Sequence, residues 1–289
     1  MVAANGFLPS MKDVAETNHE REQKEELTFK EAHELFERTM QPTLKPSTVR
    51  GYNVSLKAYI IPRFGDWRLG DIDRAALAAF DQELAREGLA ASTRNNIVMP
   101  LRMIVRNAIE LGKHHGKPDF PRLNRVQSKV YEPASVADVE AMLAAADAHA
   151  EVALGLAVYA GLRVSEVIGF RWANVNLETG LLFVREAMTD GVVVKPKSGH
   201  ERVIPIAPAL QRILEEAQKH GKSAYVAPSR GGEPWTRGGL RNAFDRALAR
   251  AKLPHTRLHD LRHFFITRCF AGGAGAPTVQ SWPDIAASR

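Results

Sequence analysis

The 289-residue sequence contains one cysteine and no apolar run long enough to span a membrane. A single thiol cannot form a disulfide within the chain, and Cys269 falls in an apolar helical pattern typical of a small core residue. The N-terminal segment Met1–Pro9 lacks the basic residues that open a secretory signal. We therefore expect a soluble protein of a reducing, cytoplasmic compartment.

The sequence also lacks the motifs of several large enzyme classes. It has no phosphate-binding P-loop, no His or Cys spacing that suits a metal, and no paired carboxylates of the kind used by metal-dependent nucleases. We accordingly expect neither a metal nor a cofactor.

What the sequence has in excess is positive charge. It holds 39 Lys and Arg residues against 33 Asp and Glu, which gives a formal net charge of +6 and a pI of about 9.5. This excess fits a polyanionic partner. With 45% apolar residues the chain can bury a full core, and its length indicates about two domains.

The hydrophobic periodicity predicts a mostly α-helical fold with a small antiparallel β-sheet, an α+β protein. Residues 1–26 are rich in Lys, Glu and Asn and are predicted to form a flexible tail, with a solvated helix start as the alternative. Residues 27–112 carry four helical patterns, and residues 133–289 form a second domain. The polar segment 113–132 is broken by glycine and proline and is interpreted as a linker.

Four helices are predicted in the first domain from capping residues, prolines and glycines. They are Phe29–Met40, Thr48–Ile61 after the cap Ser47, Asp71–Arg86, and Thr93–Leu111 after the cap Ser92. Several basic residues of this domain suit either a solvated face or contacts with a polyanion: Arg50, Lys57, Arg63, Arg94 and Arg102.

Three short strands are predicted in the second domain: Leu181–Arg185, Val192–Lys195 and Glu201–Ile206. Turns at Asp190-Gly191 and Ser198-Gly199 would join them into two hairpins. The second hairpin would then carry Lys195 and Lys197 at its tip, where a lysine is usually only solvated.

A basic amphipathic helix is predicted from Thr236 or Gly238 to Ala251. Its apolar stripe would be buried, while Arg237 and Arg241 suit either a solvated face or contacts with phosphate groups. The two uses are compatible, because opposite faces of the helix serve them.

A first chemical motif lies in Tyr159–Trp172. Gly161 permits a tight break between two helical stretches, so that Arg163 falls at or near the start of the second. Backbone N–H groups at a helix start favour an anion. Glu166, three residues further on, can hold Arg163 in place.

A second motif lies in Leu258–Phe270, which is predicted to be helical. His259 and Arg262 are three residues apart, on one face and about one turn from each other. The histidine can exchange a proton near neutral pH, and the guanidinium fork matches phosphate oxygens. The pair suits a phosphate that is held and protonated or deprotonated. A partly buried helix with a basic face is the alternative.

These two motifs, Gly161-Leu-Arg-Val-Ser-Glu166 and His259-Asp-Leu-Arg-His263, resemble those of the tyrosine recombinase (phage integrase) family. They occur in the family's order, about a hundred residues apart, with a basic hairpin predicted between them. The resemblance covers roughly residues 27–279.

The first domain resembles the family's helical, SAM-like core-binding domain, through Ser47-Thr48 with Tyr52, Pro62-Arg63-Phe64-Gly65 and Ser92-Thr93-Arg94-Asn95-Asn96. The resemblance implies two domains that clamp double-stranded DNA, and a homo-oligomer, a tetramer, on that DNA. It implies DNA integration and recombination for a phage or mobile element by a bacterial, DNA-associated protein of the cytoplasm.

The resemblance assigns Arg163, Lys197, His259 and Arg262 to catalysis of transesterification at a phosphodiester. The arginines would stabilise charge on the non-bridging oxygens, while His259 and Lys197 would transfer protons. Lys195, two residues away on the same strand face, competes with Lys197 for that role. The residues implied in DNA binding are Arg50, Lys57, Arg94, Lys195, Arg237 and Arg241.

After Arg262 the sequence departs from the family pattern. The family has a second His or Trp about twenty residues later, where Trp282 or Ile285 stands depending on the register, and a nucleophilic tyrosine about nine residues beyond it. All tyrosines of the sequence precede Arg262: Tyr52, Tyr59, Tyr131, Tyr159 and Tyr225.

We therefore predict a catalytic domain that is incomplete at its C-terminus. The chain is interpreted as a tyrosine recombinase without its nucleophile, or as a DNA-binding remnant of an integrase that does not cleave. A partner protomer that supplies a tyrosine in trans is a further alternative, so whether the chain alone is an enzyme stays open.

Overall fold

The computed structural model describes residues 26–114, 120–126, 134–194 and 201–275. The chain divides into two units, Met1–Lys129 and Val130–Arg289. Helices dominate the described residues, and the strands pair antiparallel in small sheets. The predicted fold class is confirmed. Within the described ranges, no helix combines the length and the apolar character needed to cross a membrane.

The first unit consists of helices around one apolar core. Its elements are α1 (Phe29–Thr39), α2 (Pro46–Ser55), a π-helical turn (Leu56–Ile60), α3 (Ile61–Phe64), α4 (Arg74–Arg86) and α5 (Ala91–Glu110), with 3-10 turns at Gln41–Thr43 and Leu69–Asp71. Apolar side chains recur at helical spacing on the inward faces, as Phe29, Ala32 and Phe36 do on α1.

Two of the predicted caps in this unit are wrong. Ser47 lies inside α2, which is preceded by Lys45 at the N-cap and opens with Pro46, where a missing N–H costs no helical hydrogen bond. Ser92 likewise lies inside α5, which begins at Ala91. In both cases a neighbour with extended backbone starts the helix without a side-chain cap.

The second predicted helix also runs further than expected. The π-helical turn Leu56–Ile60 follows α2 directly and leads into α3, which contains Pro62 and ends at Phe64. A π turn interrupts the regular hydrogen-bond ladder just before Pro62, which lets the chain absorb a residue that has no N–H donor. The third helix begins at Arg74 instead of Asp71, because Asp73 caps it by accepting from the N–H of Ala76 at 2.8 Å.

Aromatic rings fill the centre of the first unit. The fully buried Phe64 meets Trp67 and Phe80 edge-on, with centroid separations of 5.3 and 5.1 Å. Arg63 lies over the Trp67 ring at 4.9 Å, and its Nε is 3.2 Å from Glu83 Oε2. Arg63 is therefore engaged within the unit.

The second unit combines helices with short strands. Its elements are α6 (Val136–Ala145), α7 (Ala148–Tyr159), α8 (Val164–Gly169), β1 (Val175–Asn176), β2 (Leu181–Val184), β3 (Ala187–Thr189), β4 (Val192–Val194), β5 (Arg202–Pro205), α9 (Pro208–His220), α10 (Arg237–Arg250) and α11 (Asp260–Ala271), with a 3-10 turn at Trp172–Asn174. Every residue from Val152 to Val158 is buried, so α7 lies at the centre of the core. Helices α9, α10 and α11 pack against it.

The strands pair differently from the prediction. They form a three-stranded sheet in the order β1-β2-β5 and a two-stranded sheet of β3 and β4, all antiparallel. The predicted turn at Asp190-Gly191 is present, with φ of 53° and 77°, but it joins β4 to β3 and not to the predicted strand Leu181–Arg185. Strand β5, however, pairs with β2 instead of β4 in the described ranges.

Burial explains this choice of partner. Leu182 and Val184 on β2 and Ile204 on β5 are buried in the core, and Leu182 lies directly opposite Ile204. All three residues of β4 are exposed, so that strand has no core-facing side to offer β5. The segment 195–200, with the predicted Ser198-Gly199 turn, lies outside the described residues.

Candidate functional site

The loop after the central helix α7 positions Arg163. The chain turns at Gly161, whose φ of +61° favours glycine, and Arg163 takes the N-cap position of α8. A Cβ at position 161 would overlap the ring of Phe265 on α11. The predicted break and the placement of Arg163 at a helix start are therefore confirmed.

The carboxylate of Glu166 holds Arg163 on two sides. Oε2 accepts from the backbone N–H of Arg163 at 2.8 Å, and Oε1 accepts from its Nη1 at 3.1 Å. Arg202 on β5 adds a bidentate pair, with Nη1 to Oε1 at 2.9 Å and Nη2 to Oε2 at 2.5 Å. Glu166 is fully buried, and arginine donors satisfy both of its carboxylate oxygens.

Glu166 is charged in this setting. Burial acts to raise its pKa, but the hydrogen bonds and charge of Arg202, followed by those of Arg163, outweigh it and lower the pKa. A buried carboxylate with two guanidinium partners therefore forms the base of the Arg163 loop.

Arg262 reaches the same loop from α11. It lies in the first turn of that helix, is 4% exposed, and donates through Nη1 to the carbonyl oxygen of Gly161. This bond brings the second arginine against the turn that precedes Arg163. The two motifs, about a hundred residues apart in sequence, meet at Gly161.

His259 lies just before α11 and not inside it. The helix begins at Asp260, with His259 at the N-cap position, so the predicted start at Leu258 is two residues early. The N–H of Arg262 donates to the carbonyl of His259 at 3.2 Å, which keeps the two residues one turn apart. The His259 ring meets the His263 ring edge-on at 5.0 Å.

Burial lowers the pKa of His259, and the nearby His263 and Arg262 lower it further. The imidazole is consequently neutral at neutral pH. A neutral imidazole can accept a proton from an attacking hydroxyl group.

Asp260 anchors the segment before α11. Its Oδ2 accepts from Thr256 Oγ1 at 3.0 Å and from Arg257 N and Nε at 3.0 and 3.1 Å, and its Oδ1 accepts from Arg257 Nη2 at 2.8 Å. Burial acts to raise the pKa of Asp260, but these hydrogen bonds outweigh it and lower the pKa. Its charge lies at a helix N-terminus, where the macrodipole favours an anion.

Sequence reasoning missed Arg202 and Asp260. Asp260 had a local signal, because an Asp in the first helical turn commonly binds the backbone three residues before it. Arg202 had none, since it lies 36 residues from Glu166. Among the described residues, no group of three or more His, Cys, Asp or Glu side chains could hold a metal ion.

The remaining predicted site residues are spread over the chain. Arg50 and Lys57 in the first unit and Arg237 and Arg241 on α10 are exposed. Arg94 is instead mostly covered, and its Nε donates to Asp81 Oδ1 at 2.9 Å. Four predicted residues lie outside the described ranges: Lys195, Lys197, Trp282 and Ile285.

Two family models match the sequence. The phage integrase family matches residues 135–284, more than half of the chain, and the phage integrase N-terminal SAM-like domain matches residues 28–85. The chain belongs to the phage integrase family. The predicted resemblance is therefore confirmed, and it holds in both units.

Curated relatives agree with this assignment. Tyrosine recombinase XerD of Pseudomonas aeruginosa is 31% identical over 238 residues, which is 74% of each chain. Tyrosine recombinase XerC of Pelobacter propionicus is 25% identical over 255 residues, 82% of this chain and 80% of that protein.

Solved structures share the fold. The Tn1549 transposon integrase in complex with transposon right end DNA matches with a TM-score of 0.77 at 18% identity, over 89% of this chain and 90% of that chain. A lambda integrase tetramer bound to a Holliday junction matches with a TM-score of 0.75 at 19% identity, over 92% and 76%.

Proposed function

We propose that this phage integrase family member is a site-specific recombinase of the tyrosine type, which binds duplex DNA and holds one phosphodiester between Arg163 and Arg262. The observation that carries the proposal is the hydrogen bond from Arg262 to the carbonyl of Gly161, two residues before Arg163. It supports a shared site, because both guanidinium groups belong to segments that touch. The buried Glu166 braces Arg163, and Arg202 in turn binds Glu166.

Transesterification at phosphorus builds negative charge on the two non-bridging oxygens. Two arginines with paired N–H donors stabilise that charge, and they cost no reorganisation if they are held in place beforehand. His259, neutral because of its lowered pKa, accepts or relays a proton. Lys197 protonates the leaving oxygen, with Lys195 as the competing candidate, and Trp282 or Ile285 takes the second His or Trp position.

No residue of the 289 supplies the attacking phenol in the family's manner. Every tyrosine precedes Arg262 in the sequence. Tyr159 lies on the central helix, and its pKa is raised by burial and by the charge of Glu140, which makes the phenolate harder to form. Tyr225 packs against the core with Arg171 over its ring at 5.5 Å. A tyrosine given in trans by another protomer would complete the site.

A second candidate function concerns the 289 residues taken by themselves. The 289 residues can occupy DNA without cutting it, as a non-catalytic DNA-binding remnant of an integrase would. Duplex binding is common to both candidates, and covalent attachment to DNA separates them.

The units take the roles that the family implies. Residues 27–112 act as the core-binding domain and residues 133–289 as the catalytic domain, with 113–132 as the linker and 1–26 as a tail. Phosphate contacts come from Arg50, Lys57, Arg94, Lys195, Arg237 and Arg241, in a homotetramer on DNA in the bacterial cytoplasm. The exposure of Arg50, Lys57, Arg237 and Arg241 supports their contact with phosphates. Arg94 contributes less to phosphate binding, because it is paired with Asp81.

A salt titration of duplex binding tests the common step. Because the contacts are to phosphates, affinity should fall roughly a thousandfold between about 50 and 200 mM salt. Replacing Arg237 and Arg241 together with Ala should reduce the salt slope by about two. Lys219→Ala, which removes an exposed lysine paired with Glu216 on α9, is the matched control and should leave the slope unchanged. A flat titration would remove the DNA-binding proposal.

A suicide DNA substrate that traps covalent intermediates tests the chemical step. The 289 residues alone should form no adduct that survives denaturation. A variant is then made in which the residues after Val279 are replaced by a tail that contains Leu-Gly-His and, about nine residues later, a tyrosine. This variant should form the adduct, and the same variant with Phe in place of the new tyrosine should not. An adduct from the unmodified chain would contradict the assignment, and mapping the linked residue would identify the nucleophile.

A further inference from the structure

Arg202 is a buried arginine that the proposed mechanism uses only as a brace of Glu166. It is the first residue of β5, and its side chain is 6% exposed. Both of its terminal nitrogens donate to Glu166, in a bidentate pair at 2.5 and 2.9 Å. Arginine is seldom buried unless it is paired with an opposite charge. The role of Arg202 is therefore to be sought in the charges of the residues that it contacts.

The carboxylate of Glu166 is shared between two arginines. It accepts two hydrogen bonds from Arg202 and two from Arg163, which fills the roughly four acceptor positions of a carboxylate. The side chain of Arg163 is 15% exposed, whereas that of Glu166 is fully buried. Arg163 therefore faces the carboxylate on one side and the surface on the other.

The formal charges of this cluster do not cancel. Taken by themselves, Glu166, Arg163 and Arg202 carry one negative and two positive charges, which leaves one unit of positive charge. Without Arg202, Glu166 and Arg163 would form a neutral pair, and an approaching phosphate would meet the carboxylate's repulsion as well as the arginine's attraction. Such effects are strong at buried sites, where the effective dielectric constant is well below that of water.

We propose that Arg202 is a positioning residue, which neutralises Glu166 from the side of β5 and so strengthens the attraction of Arg163 for a phosphate. This inference rests on the proposed function, because it concerns the same phosphate site. It differs from a purely structural role, in which Arg202 only fastens β5 to α8. The two readings predict different outcomes when the charge is changed and the shape is kept.

Inorganic phosphate is a suitable probe, since its binding needs neither a target DNA site nor a nucleophile. The full 289-residue chain is titrated with phosphate, and the side-chain ¹⁵Nε resonance of Arg163, identified by its loss in Arg163→Lys, reports the dissociation constant. The resonance of Arg241 on α10 is recorded in the same spectra as a control for phosphate that binds elsewhere.

Arg202→Met removes the charge at nearly constant volume, and phosphate affinity at Arg163 should fall on the order of tenfold. Arg202→Lys keeps the charge without the bidentate geometry, and its affinity should stay within about threefold of the unmodified chain. The response of Arg241 should be the same in all variants. Equal affinity of Arg202→Met and the unmodified chain would overturn the inference.

The decisive variant combines Arg202→Met with Glu166→Gln. It removes one charge of each sign, so the net charge of the cluster returns to that of Arg163 alone. Affinity should recover to within about threefold of the unmodified chain. If Arg202 acted only by fastening the strand, the double variant would bind phosphate no better than Arg202→Met, and the inference would be wrong.

Folding and phosphate binding are separated by circular dichroism and urea unfolding of each variant. If Arg202→Met does not fold, Arg202→Gln replaces it, because glutamine keeps a hydrogen-bond donor without the charge. Equal phosphate affinities of Arg202→Gln and Arg202→Lys would then overturn the inference. If Arg163 of the unmodified chain does not respond to phosphate at all, the phosphate site of the proposed function fails together with this inference. If Arg163 of the unmodified chain responds to phosphate and no Arg202 variant changes that response, the inference is refuted and the proposed function is not.

Discussion

Each unit of this phage integrase family member has a carboxylate that holds an arginine, and the two carboxylates differ in burial. In the first unit, Asp81 Oδ1 accepts from Arg94 Nε at 2.9 Å and from Asn124 Nδ2 at 2.7 Å, with the Asp81 side chain 28% exposed. In the second, Glu166 is fully buried and binds two arginines. The residue types are alike, but of the two carboxylates only that of Glu166 is kept from water.

This difference decides what each pair does. Water screens Asp81 and can replace a lost partner, so the pair ties α4 to α5 at little net gain. Glu166 has no access to water, so its charge must be met by protein donors, and removing it takes the carboxylate away from the buried Arg202 and from the partly exposed Arg163. The partly exposed pair of Arg94 and Asp81 is a local brace, whereas the buried Glu166 fixes the direction of Arg163.

The largest expected effect comes from Glu166→Ala. It leaves Arg202 and Arg163 without their carboxylate, and it should cost the second unit roughly 3–5 kcal/mol of unfolding free energy. Asp81→Ala, the matched change in the first unit, should cost about 1 kcal/mol. Native-state hydrogen exchange measures both, because it reports the amides of each unit separately.

Equal losses in the two units would break the comparison between them. A small loss for Glu166→Ala would mean that water enters the site and replaces the carboxylate, in which case the geometry around Arg163 would not be fixed by Glu166. Glu166→Gln serves as a control of shape, since it retains hydrogen-bond acceptance and removes the charge.

Gly161→Ala should follow in size. The new Cβ would overlap Phe265, and a positive φ is costly for alanine, so the loss should be roughly 2–4 kcal/mol in the second unit. Gly180→Ala is the control, because Gly180 has a φ of +65° but no atom within 4 Å of an added Cβ; it should lose about 1 kcal/mol. Urea unfolding followed by tryptophan fluorescence measures both. Equal costs would show that α11 does not pack tightly on the loop.

Asp260→Ala should cost somewhat less. It removes a buried acceptor of four hydrogen bonds from Arg257 and Thr256, with an expected loss of roughly 1.5–3 kcal/mol. Asp73→Ala in the first unit removes an exposed N-cap that accepts one bond from Ala76, and should cost about 1 kcal/mol. Hydrogen exchange in α11 and α4 gives the two values, and the reverse order would contradict the role of burial.

Local chemistry in the sequence predicted much of the site. Gly161 indicated the turn, and Glu166 indicated the partner of Arg163, because both relations act over a few residues. The contact of Arg262 with Gly161 joins residues 101 apart, and only the family resemblance of the two motifs placed them in one site. Arg202 matched no motif considered in the sequence, so it was missed.

The errors in the fold have the same origin. The pairing of β5 with β2 is decided by which strands have a buried face, and β4, although it consists of three valines, has no buried face. Ser47 and Ser92 have good capping chemistry, yet Lys45 and Ala90 occupy the N-caps, because packing of the helices sets where they begin. Residue propensity depends only on the local sequence, whereas strand pairing and the starts of these helices depend on packing in the core.

The smallest effect concerns pH and His259. Burial, with the charges of His263, Arg262 and Arg257, lowers the pKa of His259 in the folded state, against a raising contribution from Asp260. The unfolded chain then binds a proton more readily than the folded one. Stability from this group is fully present above the unfolded pKa of about 6.5 and is lost as the pH falls through the folded pKa.

His259→Asn should therefore flatten the pH dependence of unfolding below about pH 6.5 in the second unit, and leave the first unit unchanged. Urea unfolding at a series of pH values, with hydrogen exchange to separate the units, measures the slope. Asp260 titrates at lower pH because its pKa is lowered, so the two contributions separate along the pH axis. If His259→Asn keeps the full slope, the proton is bound elsewhere, and the neutral imidazole that the proposed mechanism uses as a proton acceptor loses its support.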